Sequence, residues 1–598
     1  MTNLEIAWTL TEMADLLELK GEAPYKVRAY RRAAGNIKNL EEEVSNFYTH
    51  GTLEKIPGIG KNLAAKISEL LRTGRSTFLE DLRKEVPPGL RKMLVIPGLG
   101  TRSVYQIYMH LGVQTLAELE KAAKNKQIRK LPGMGTKTEL AILRGIRMLK
   151  EEQDKIPLGV ALPLALMLKD QLLAIQGVKQ VEIAGSVRRG CEMVGDIDLV
   201  AKVTPDNQVA AVMSGHPQVK EVLANEPERL ALLSNLGFKV EIIMVGSEEF
   251  ASTLLYATGS AAHRQKLLQL AAEQGKTARD IGFSTPRWLA EESKVLTGNH
   301  EDIKQKDKNK TKVIKNPGLN EEEVFYERLG LPYIVPELRE DRGEIEAAQK
   351  GELPQLVSLD HIVGDLHMHT NYSDGAEDIK RMAMAARERG YRYIAITDHS
   401  RSLVVARGLS IEQIKAQRAE IEQLNQELED ITILAGIEVD ILKDGSLDYE
   451  DEILKEFDLV IASVHSGFSL EQDRMMARVE KALRHPYVDI LGHPTGRILG
   501  RRRPYAVDVK RIIELAAETG TILEINASPD RLDLNDNYVR LAKDYGVPIA
   551  INTDAHDLKR MGEMEYGVIT ARRGWLEPKD VVNTWDLDKL LARLKRNR

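Results

Sequence analysis

Apolar and polar positions follow different spacings in different parts of the chain. Residues 1–150 follow helical spacing, as in YKVRAYRRAAGNI (25–37). Further along, VEIAGSVRRGCEMVGDIDLV (181–200) predicts a strand, a Gly-Ser turn and a second strand, and KVEIIMV (239–245) predicts another strand. The run KQKDKNKTK (304–312) has no apolar periodicity, which predicts a loop.

From residue 361 to the end, short apolar runs that predict strands alternate with helical patterns. Six of these runs carry acidic or imidazole side chains at or near their carboxyl ends: GDLHMHT (364–370), IAITDHS (394–400), ILAGIEVD (433–440), VIASVHS (460–466), DILGHP (489–494) and IAINTDAH (549–556). This alternation is the sequence form of a βα barrel, whose site lies at the carboxyl ends of its strands. In the first run, Asp365, His367 and His369 point to one side of their strand, which suggests a metal site.

The size and composition of the chain fit a protein of several domains. Its 598 residues allow large cores, and the single Cys191 excludes an internal disulfide and favours a reducing compartment. The first ten residues lack the pattern of a signal peptide, and the most apolar segment, 156–168, contains two prolines. We therefore expect a cytoplasmic protein without a membrane-spanning segment.

The distribution of charge matters more than its total. The net charge of −6 argues against a nucleic-acid partner, yet residues 1–150 hold 25 Lys and Arg against 16 Asp and Glu. The remainder holds 59 against 74, so the positive potential is confined to one end of the chain. A basic stretch can be a solvated face only, so its partner has to be identified by a motif.

A pattern of Pro-Gly, an apolar residue and Gly occurs three times in this basic region. The copies are IPGIGKNLAAKI (56–67), IPGLGTRSVYQI (96–107) and LPGMGTKTELAI (131–142). Their glycines allow a tight turn that exposes backbone N–H groups to a phosphate at the next helix's positive end: Gly58, Gly60, Gly98, Gly100, Gly133 and Gly135. The pattern resembles the helix-hairpin-helix motif, which implies binding to the DNA backbone. A plain helix–helix turn is the alternative.

The first hairpin, together with residues 25–37, resembles the small N-terminal domain of DNA polymerase β and its family X relatives. The resemblance implies DNA contacts by Lys26, Tyr30 and Arg31, and a Schiff base between Lys66 and a 5′-deoxyribose phosphate. Asn62 and Phe78 stand where the family carries basic residues. A lone lysine on an exposed helix that only aids solubility is the alternative.

Asp196 and Asp198 share one face of their predicted strand, where they can bridge two divalent cations. A bare Asp-x-Asp pair is often a solvated edge, but the full run GSVRRG…GDIDLV resembles the nucleotidyltransferase palm of polymerase family X. The resemblance implies a third carboxylate at Glu241, where aspartate is usual, and Mg²⁺ or Mn²⁺ as the ions. It also implies a set of residues that bind the incoming dNTP: Gly185, Ser186, Arg189, Lys155, Gly195, Tyr256, Gly259 and Ser260. Ala257 and Val194 depart from the family's pattern.

The six strand-end runs resemble, in their order, the PHP domain named for polymerases and histidinol phosphatases. That resemblance implies a set of metal ligands: His367, His369, Asp374, His399, Glu438, His465, His493, Asp554 and His556. Mixed imidazole and carboxylate ligands suit two or three ions of Mn²⁺ or Zn²⁺, and clustered ions of this kind hydrolyse phosphate esters. A single histidine at a strand end would more often be a core residue whose ring nitrogens are hydrogen-bonded within the protein.

The resemblances together predict a multidomain fold: an α-helical helix-hairpin-helix region, an α+β nucleotidyltransferase palm and thumb, and a C-terminal α/β distorted βα barrel. The expected boundaries are 1–88 for the lyase-like domain, 89–154 for a fingers-like region, 155–255 for the palm, 256–345 for the thumb, 346–362 for a linker and 363–598 for the PHP domain.

The function expected from this organisation is DNA repair by a monomer. A gap-filling DNA polymerase would act on gapped, nicked or 3′-ended DNA with dNTPs, and a metal-dependent 3′–5′ exonuclease would trim ends. Incision at abasic sites, removal of 3′-phosphates and the lyase reaction are further expectations. Two alternatives remain: a polymerase-deficient platform that delivers DNA to the nuclease, and a PHP phosphatase of small molecules.

Overall fold

The structure is a computed structural model that describes all residues except 2, 39, 41, 95, 97, 98, 152–154, 236, 284–321 and 595–598. Gly98 and the loop predicted at 304–312 therefore lie outside the described residues. The chain forms two compact units, Met1–Val160 together with Gln355–Arg598, and Ala161–Pro354. In the described parts of both units, every helix is too short or too polar to cross a lipid bilayer.

The N-terminal part of the first unit is helical, as its periodicity predicts. Its elements are α1 (Asn3–Leu19), α2 (Pro24–Lys38), α3 (Val44–Thr49), α4 (Lys61–Thr73), α5 (Thr77–Glu85), α6 (Pro88–Met93), α7 (Thr101–Leu111), α8 (Leu116–Lys124), α9 (Thr136–Glu151) and a short strand, β1 (Ile156–Pro157). Ile6, Leu10, Met13 and Leu17 recur at helical spacing on α1 and are fully buried. They share one apolar cluster with α2, α4 and α7, so α1 forms the centre of this helical core.

The second unit is built around a five-stranded sheet of order β2-β4-β7-β6-β5. The elements from residue 158 to 354 are α10 (Leu158–Leu173), β2 (Val178–Ile183), α11 (Gly185–Arg188), β3 (Met193–Val194), β4 (Asp196–Val203), α12 (Val209–Ser214), β5 (Val219–Glu226), β6 (Arg229–Ser234), β7 (Lys239–Val245), α13 (Phe250–Thr258), α14 (Ala261–Glu273), α15 (Glu323–Arg328) and α16 (Glu344–Lys350). Strands β4 and β7 run parallel with Asp198 opposite Glu241. The Gly-Ser pair begins a single helical turn, α11, rather than a simple turn.

A buried ion cluster lies within the second unit. Glu322 accepts hydrogen bonds from Arg188 at 2.8 Å and from Arg339 at 2.9 Å, and Glu322 and Arg339 are completely buried. Burial alone would raise the pKa of Glu322, but the two guanidinium groups lower it to about 2. The cluster ties α11 to the residue just before α15 and to Arg339, and Arg188 also donates to Thr258 Oγ1 at 2.7 Å.

Replacing Glu322 by alanine should destabilise the second unit by about 3–5 kcal/mol, because two buried guanidinium groups lose their counterion. The folded-state pKa of Glu322 lies below its unfolded value of 4.5, so its stabilisation is complete above pH 4.5 and is lost as the pH falls towards 2. Thermal unfolding between pH 2 and 8 measures both effects. Glu327→Ala, an exposed glutamate on α15, is the control, and equal melting of wild type and Glu322→Ala at pH 7 would contradict the prediction.

The C-terminal part of the first unit is a βα barrel, which confirms the prediction. Its elements are β8 (Gly364–Met368), α17 (Ile379–Glu388), β9 (Tyr393–Ile396), α18 (Ile411–Glu427), β10 (Thr432–Asp440), α19 (Asp451–Leu454), β11 (Leu459–Ser463), α20 (Gln472–Leu483), β12 (Ile490–Leu491), α21 (Val509–Thr519), β13 (Ile522–Asn526), α22 (Asp536–Asp544), β14 (Ile549–Asn552), α23 (Met564–Arg573) and α24 (Leu587–Arg593).

The barrel sheet has seven strands in the order β14-β13-β12-β11-β10-β9-β8. The paired strands are parallel, and a bridge between Met368 and Ala555 brings the first and last strands together, so the sheet is nearly closed. Runs such as LVIAS in β11 are buried at every position because helices cover the outside of the sheet. Strand β13 was absent from the six runs that the sequence singled out, and it carries a residue of the site described next.

Candidate metal centres and DNA-binding surface

The nine predicted PHP ligands converge at the carboxyl ends of the barrel strands. Eight of them form three overlapping groups whose ligand atoms lie within 4.8 Å of one another: His369, Asp374, His399 and His556; His367, His369 and Asp554; and His399, Glu438 and His465. The ninth, His493, places Nε2 3.0 Å from Glu438 Oε1. Segments far apart in sequence therefore bring their imidazoles and carboxylates to one pocket.

Glu438 lies at the centre of this pocket, which we call the histidine cluster. Its Oε1 is 3.5 Å from His367 Nε2 and 3.2 Å from His465 Nε2, and its Oε2 is 2.7 Å from His399 Nδ1. Several of these atoms are buried without a hydrogen bond of acceptable geometry among the described residues: His367 Nε2, His369 Nδ1 and Nε2, His399 Nδ1 and Glu438 Oε2. Lone pairs that converge without hydrogen bonds fit a set of divalent cations.

The electrostatics of the histidine cluster also favour cations. Burial and the neighbouring rings of His556 and His399 lower the pKa of His369 to about 3, so its imidazole stays neutral and keeps one nitrogen unprotonated. Burial would raise the pKa of Glu438, but His465 and other imidazoles hold it well below the usual range. A neutral imidazole and an ionised carboxylate are the forms that bind metal.

Two buried carboxylates support these ligands from behind, and neither was predicted. Glu524 on β13 lies 2.7 Å from His367 Nδ1 and accepts the backbone N–H of His493, and Asp440 lies 2.9 Å from His465 Nδ1. Each fixes the orientation of an imidazole and the nitrogen that faces the pocket. The available signal was an acid inside an apolar strand, as in ILEIN at 522–526.

Replacing Glu524 by glutamine should weaken Mn²⁺ binding by about 10- to 100-fold, because the ring of His367 loses its charged partner. Titration with Mn²⁺ monitored by calorimetry measures the change. Asp489→Asn is a matched control, because Asp489 is an equally buried acid that accepts the backbone N–H of Val460 outside the cluster. Equal Mn²⁺ affinity in wild type and Glu524→Gln would contradict the role assigned to Glu524.

A second group of carboxylates lies on the sheet of the other unit. Asp196, Asp198 and Glu241 each place one oxygen within 4.8 Å of the others, as the pairing of β4 with β7 requires. Arg229 donates to Glu241 at 2.7 Å, and Lys239 lies 2.7 Å from Glu241 and 3.7 Å from Asp196. Glu241 therefore lies beside Asp196 and Asp198, and the side chains of Arg229 and Lys239 hold its carboxylate in place.

Asp198 is partly buried and lies close to the carboxylates of the other two acids. Burial and the charges of Asp196 and Glu241 raise its pKa to about 7, which is the expected response to crowded carboxylates without a cation between them. Gly185 packs directly on it: a Cβ at this position would lie 1.9 Å from Asp198 Oδ2. Gly185 has φ of 59°, so only glycine suits both the conformation and the space.

The other residues predicted to bind the nucleotide are engaged as follows. Arg189 donates to Glu340 at 2.9 Å and to the carbonyl of Thr258 at 2.7 Å. Ser260 caps α14 by accepting the N–H of His263, which follows Gly259 and Ser260 in the chain. The ring of Tyr256 is covered by the guanidinium of Arg264 at 4.1 Å. Gly195 has open space around it, and Lys155 is exposed within the first unit; the nucleotide-binding roles stay predictions.

The first two hairpins present helix N-termini without side-chain caps. Gly60 and Gly100 are the residues before α4 and α7, and neither end has a side-chain cap. Gly58 and Gly133 adopt φ of 78° and 75°, the left-handed conformation that the turn requires. Gly135 directly precedes α9. Uncapped N–H groups at helix ends fit phosphate binding.

The structure corrects one residue of the DNA-binding prediction. Tyr30 is only 6% exposed and stacks on Phe78 with ring centroids 6.1 Å apart, so it belongs to the core and not to the DNA-facing surface. Lys26 pairs with Glu22 at 3.3 Å and Arg31 with Glu18 at 2.5 Å, both partly exposed. Phe78 also lies under Lys66, whose Nζ is 4.4 Å from the ring centroid. An aromatic ring that makes a cation–π contact with this lysine therefore occupies the position where the family resemblance implied a basic residue.

Four family models match the chain in consecutive segments. They are described as a helix-hairpin-helix domain (residues 1–76), a SAM-like helix-hairpin-helix tandem (90–148), a DNA polymerase beta thumb (253–340) and a PHP domain (365–528). The helical hairpins and the chain after β7 fall in the corresponding segments, and the PHP segment contains every ligand of the histidine cluster except Asp554 and His556.

Relatives match the chain over its full length or over part of it. A protein of Bacillus subtilis (strain 168) named DNA polymerase/3′-5′ exonuclease PolX is 38% identical over 599 residues, which is 100% of both chains. A protein of Thermoanaerobacter sp. (strain X514) named probable phosphatase is 32% identical over 40% of this chain and 96% of its own length. A probable phosphatase of Syntrophotalea carbinolica is 27% identical over 37% of this chain and 90% of its own.

Proposed function

Since the chain belongs to the family X DNA polymerases with a C-terminal PHP domain and is a DNA polymerase with 3′–5′ exonuclease function, we propose that its two carboxylate-containing clusters divide these reactions. Both reactions need divalent metal ions. Asp196, Asp198 and Glu241 would serve the polymerase, and the histidine cluster would serve the nuclease. The convergence of the nine PHP ligands at one end of the barrel is the observation that carries the second assignment.

In the polymerase, the residues of β4 and β7 would hold Mg²⁺ or Mn²⁺. When bound, these ions would activate the primer hydroxyl and stabilise the leaving pyrophosphate. Glu241 keeps its carboxylate fixed through Arg229 and Lys239, which offsets the greater freedom of glutamate at a place where aspartate is usual. Ser186 and Arg189 at α11, and Tyr256, Gly259 and Ser260 after α13, would hold the dNTP.

In the nuclease, the histidine cluster would hold two or three ions of Mn²⁺ or Zn²⁺. When bound, they would lower the pKa of a water and steady the leaving oxygen of a phosphodiester. Arg531 is suited to a phosphate oxygen, because its Nε lies 3.8 Å from Asp554 and its Nη1 is buried without a hydrogen-bond partner among the described residues. The 3′-terminal phosphodiester of DNA would therefore lie between this guanidinium and the ligands.

The ion assignment can be tested with crystals grown in Mn²⁺. Anomalous scattering is expected to give two or three peaks within bonding distance of the nine ligands, and a further peak at Asp196 and Asp198. Peaks elsewhere, or none at the histidine cluster, would refute the assignment. Repeating the measurement with Zn²⁺ identifies the ion that binds more tightly.

A phosphatase reaction is the second candidate for the histidine cluster, because two relatives that cover only part of this chain are named probable phosphatases. Removal of 3′-phosphates and incision at abasic sites would use the same ligands on DNA. Comparing kcat/KM on a primer 3′ end, on a 3′-phosphorylated primer and on a soluble monoester ranks these substrates. Preference for the soluble monoester would refute the nuclease assignment.

We also propose that Lys66 is the nucleophile of a 5′-deoxyribose-phosphate lyase. Its Nζ lies 4.4 Å from the centroid of the Phe78 ring, a contact that favours one position of the amine. Lys66→Arg should lose borohydride-trapped adduct with a 5′-deoxyribose-phosphate substrate by at least about a hundredfold, because the reaction needs a primary amine. Lys61→Arg, an exposed lysine at the start of the same helix, is the control. Undiminished trapping by Lys66→Arg would show that another amine reacts.

The combined activities suit the repair of gapped or nicked DNA in the cytoplasm by a monomer, with the helical hairpins holding the DNA backbone. Binding should weaken as salt rises, since phosphate contacts release counterions. The domain boundaries expected from the sequence, 1–88, 89–154, 155–255, 256–345, 346–362 and 363–598, stay predictions.

A further inference from the structure

An exposed apolar tip lies in the loop that follows the ligand His399. Val404 and Val405 form a short 3₁₀ turn, and their side chains are 79% and 93% exposed. They follow the ligand His399 by five and six residues, in the loop after β9. Exposed apolar groups beside a polar site mark places where a partner binds.

The loop that carries this tip is closed and anchored to the ligands. Leu409 N–H donates to the carbonyl of His399 at 2.9 Å, and Ser400 N–H donates to the carbonyl of Glu438 at 3.0 Å. Ser402 Oγ donates to Asp440, whose other oxygen lies 2.9 Å from His465. Both ends of the loop are therefore fixed to the framework of the metal ligands.

Close packing at the neck keeps the valines outside. A Cβ at Gly408 would lie 1.8 Å from the carbonyl oxygen of Ser400, so the two arms of the loop touch there. Ala406 and Leu409 are buried, whereas Val404 and Val405 are not. The exposure of the valines thus follows from a defined loop conformation, and their position relative to the ligands is fixed.

The charge next to the tip indicates the partner. Arg407, in the left-handed conformation with φ of 59°, is exposed, and its guanidinium has no hydrogen bond or ion pair within the described part of the chain. An apolar surface beside an unpaired guanidinium matches a nucleobase and its phosphate. Five residues of chain span at most about 18 Å, so the tip can reach the last few nucleotides of a strand whose end lies among the ligands.

We propose that Val404 and Val405 contact a nucleobase near the 3′ end of the DNA strand being degraded, while Arg407 contacts the adjoining phosphate. This proposal rests on the assignment of the exonuclease to the histidine cluster. The loop at 401–409 would then position the DNA end. Because small phosphate esters have no nucleobase to contact the valines, the loop would favour DNA over them as a substrate.

The test combines the double substitution Val404→Ser/Val405→Ser with DNA that lacks one base. A tetrahydrofuran residue replaces the terminal, second or third nucleoside from the 3′ end of a labelled single strand. On normal DNA, the double variant should show kcat/KM lowered about tenfold, mainly through KM. At one of the three positions, removal of the base should lower the kcat/KM of the wild type by a similar factor. At that same position, removal of the base should cause no further decrease in the kcat/KM of the double variant.

Two controls make the result decisive. Met384→Ser removes an exposed apolar side chain from α17 of the same barrel and should leave the DNA kinetics unchanged. Mn²⁺ affinity of the double variant should equal that of the wild type, which shows that the ligands are intact.

A kcat/KM equal to that of the wild type in the double variant on normal DNA would overturn the proposal. So would independent effects at all three positions, in which the decrease in kcat/KM from the substitution and the decrease from base removal multiply. Exonuclease activity retained by His367→Ala would refute the assignment of the nuclease to the cluster, and this proposal with it. If His367→Ala abolishes the exonuclease activity and the double variant keeps the wild-type kcat/KM, only the proposed contact between the valines and DNA is refuted.

Discussion

Glu438→Gln should lower the rate at which DNA 3′ ends are degraded by roughly a thousandfold, whereas primer extension should continue at the wild-type rate. Glu438 lies at 2.7–3.5 Å from the imidazoles of His367, His399, His465 and His493, so it contributes to more than one of the proposed metal positions. Glutamine keeps the shape of the side chain but removes the negative charge and one of the two anionic oxygens. The chain would then hold the ions weakly or in the wrong places.

A 5′-labelled single strand with Mn²⁺ measures the exonuclease, and extension across a one-nucleotide gap measures the polymerase in the same preparation. Glu427→Gln, an exposed glutamate on α18, controls for loss of a negative charge in the same barrel. Exonuclease activity within tenfold of wild type in Glu438→Gln would contradict the central place given to this carboxylate.

Asp198→Ala should have the opposite effect, lowering gap filling by roughly a thousandfold and leaving the exonuclease unchanged. Asp198 has Asp196 and Glu241 as its carboxylate neighbours, and burial together with their charges raises its pKa to about 7. Without its carboxylate the proposed polymerase site would lose one ligand for its two cations.

Single-turnover extension of a gapped duplex with Mg²⁺ and with Mn²⁺ measures this loss. Asp206→Ala removes an exposed carboxylate from the loop after β4 of the same unit and should leave extension unchanged. Extension by Asp198→Ala comparable with wild type would show that the polymerase centre lies elsewhere. Absence of extension by the wild type would favour the rival in which this unit only delivers DNA to the nuclease.

Local periodicity was sufficient to predict much of the fold. The two-residue repeat of a strand placed Asp196 and Asp198 on one face and His367 and His369 on one side of theirs, and the alternation of strands and helices predicted the barrel. These features depend on neighbours within one strand or on a repeated unit, so the sequence displays them directly. The full set of ligands was implied by the resemblance to the PHP domain.

Features that depend on distant partners were missed or misplaced. Glu524 lies 157 residues from the imidazole that it orients, and nothing in its own strand indicates that partner. Arg189 reaches Glu340 across 151 residues. The resemblance implied a DNA contact for Tyr30, yet its ring packs against Phe78, 48 residues further along the chain. Helical spacing indicates that a residue lies on a face, but the tertiary packing determines what covers that face.

The contact between Gly185 and Asp198 has a genetic consequence. Every missense change of codon 185 adds at least a methyl group in the 1.9 Å gap before the carboxylate oxygen, and no rotamer of the new side chain avoids that first carbon. The histidine cluster belongs to a different compact unit, so its chemistry does not depend on this codon. Alleles of codon 185 should therefore separate the two activities, leaving cells with an enzyme that erodes DNA ends and cannot rebuild them.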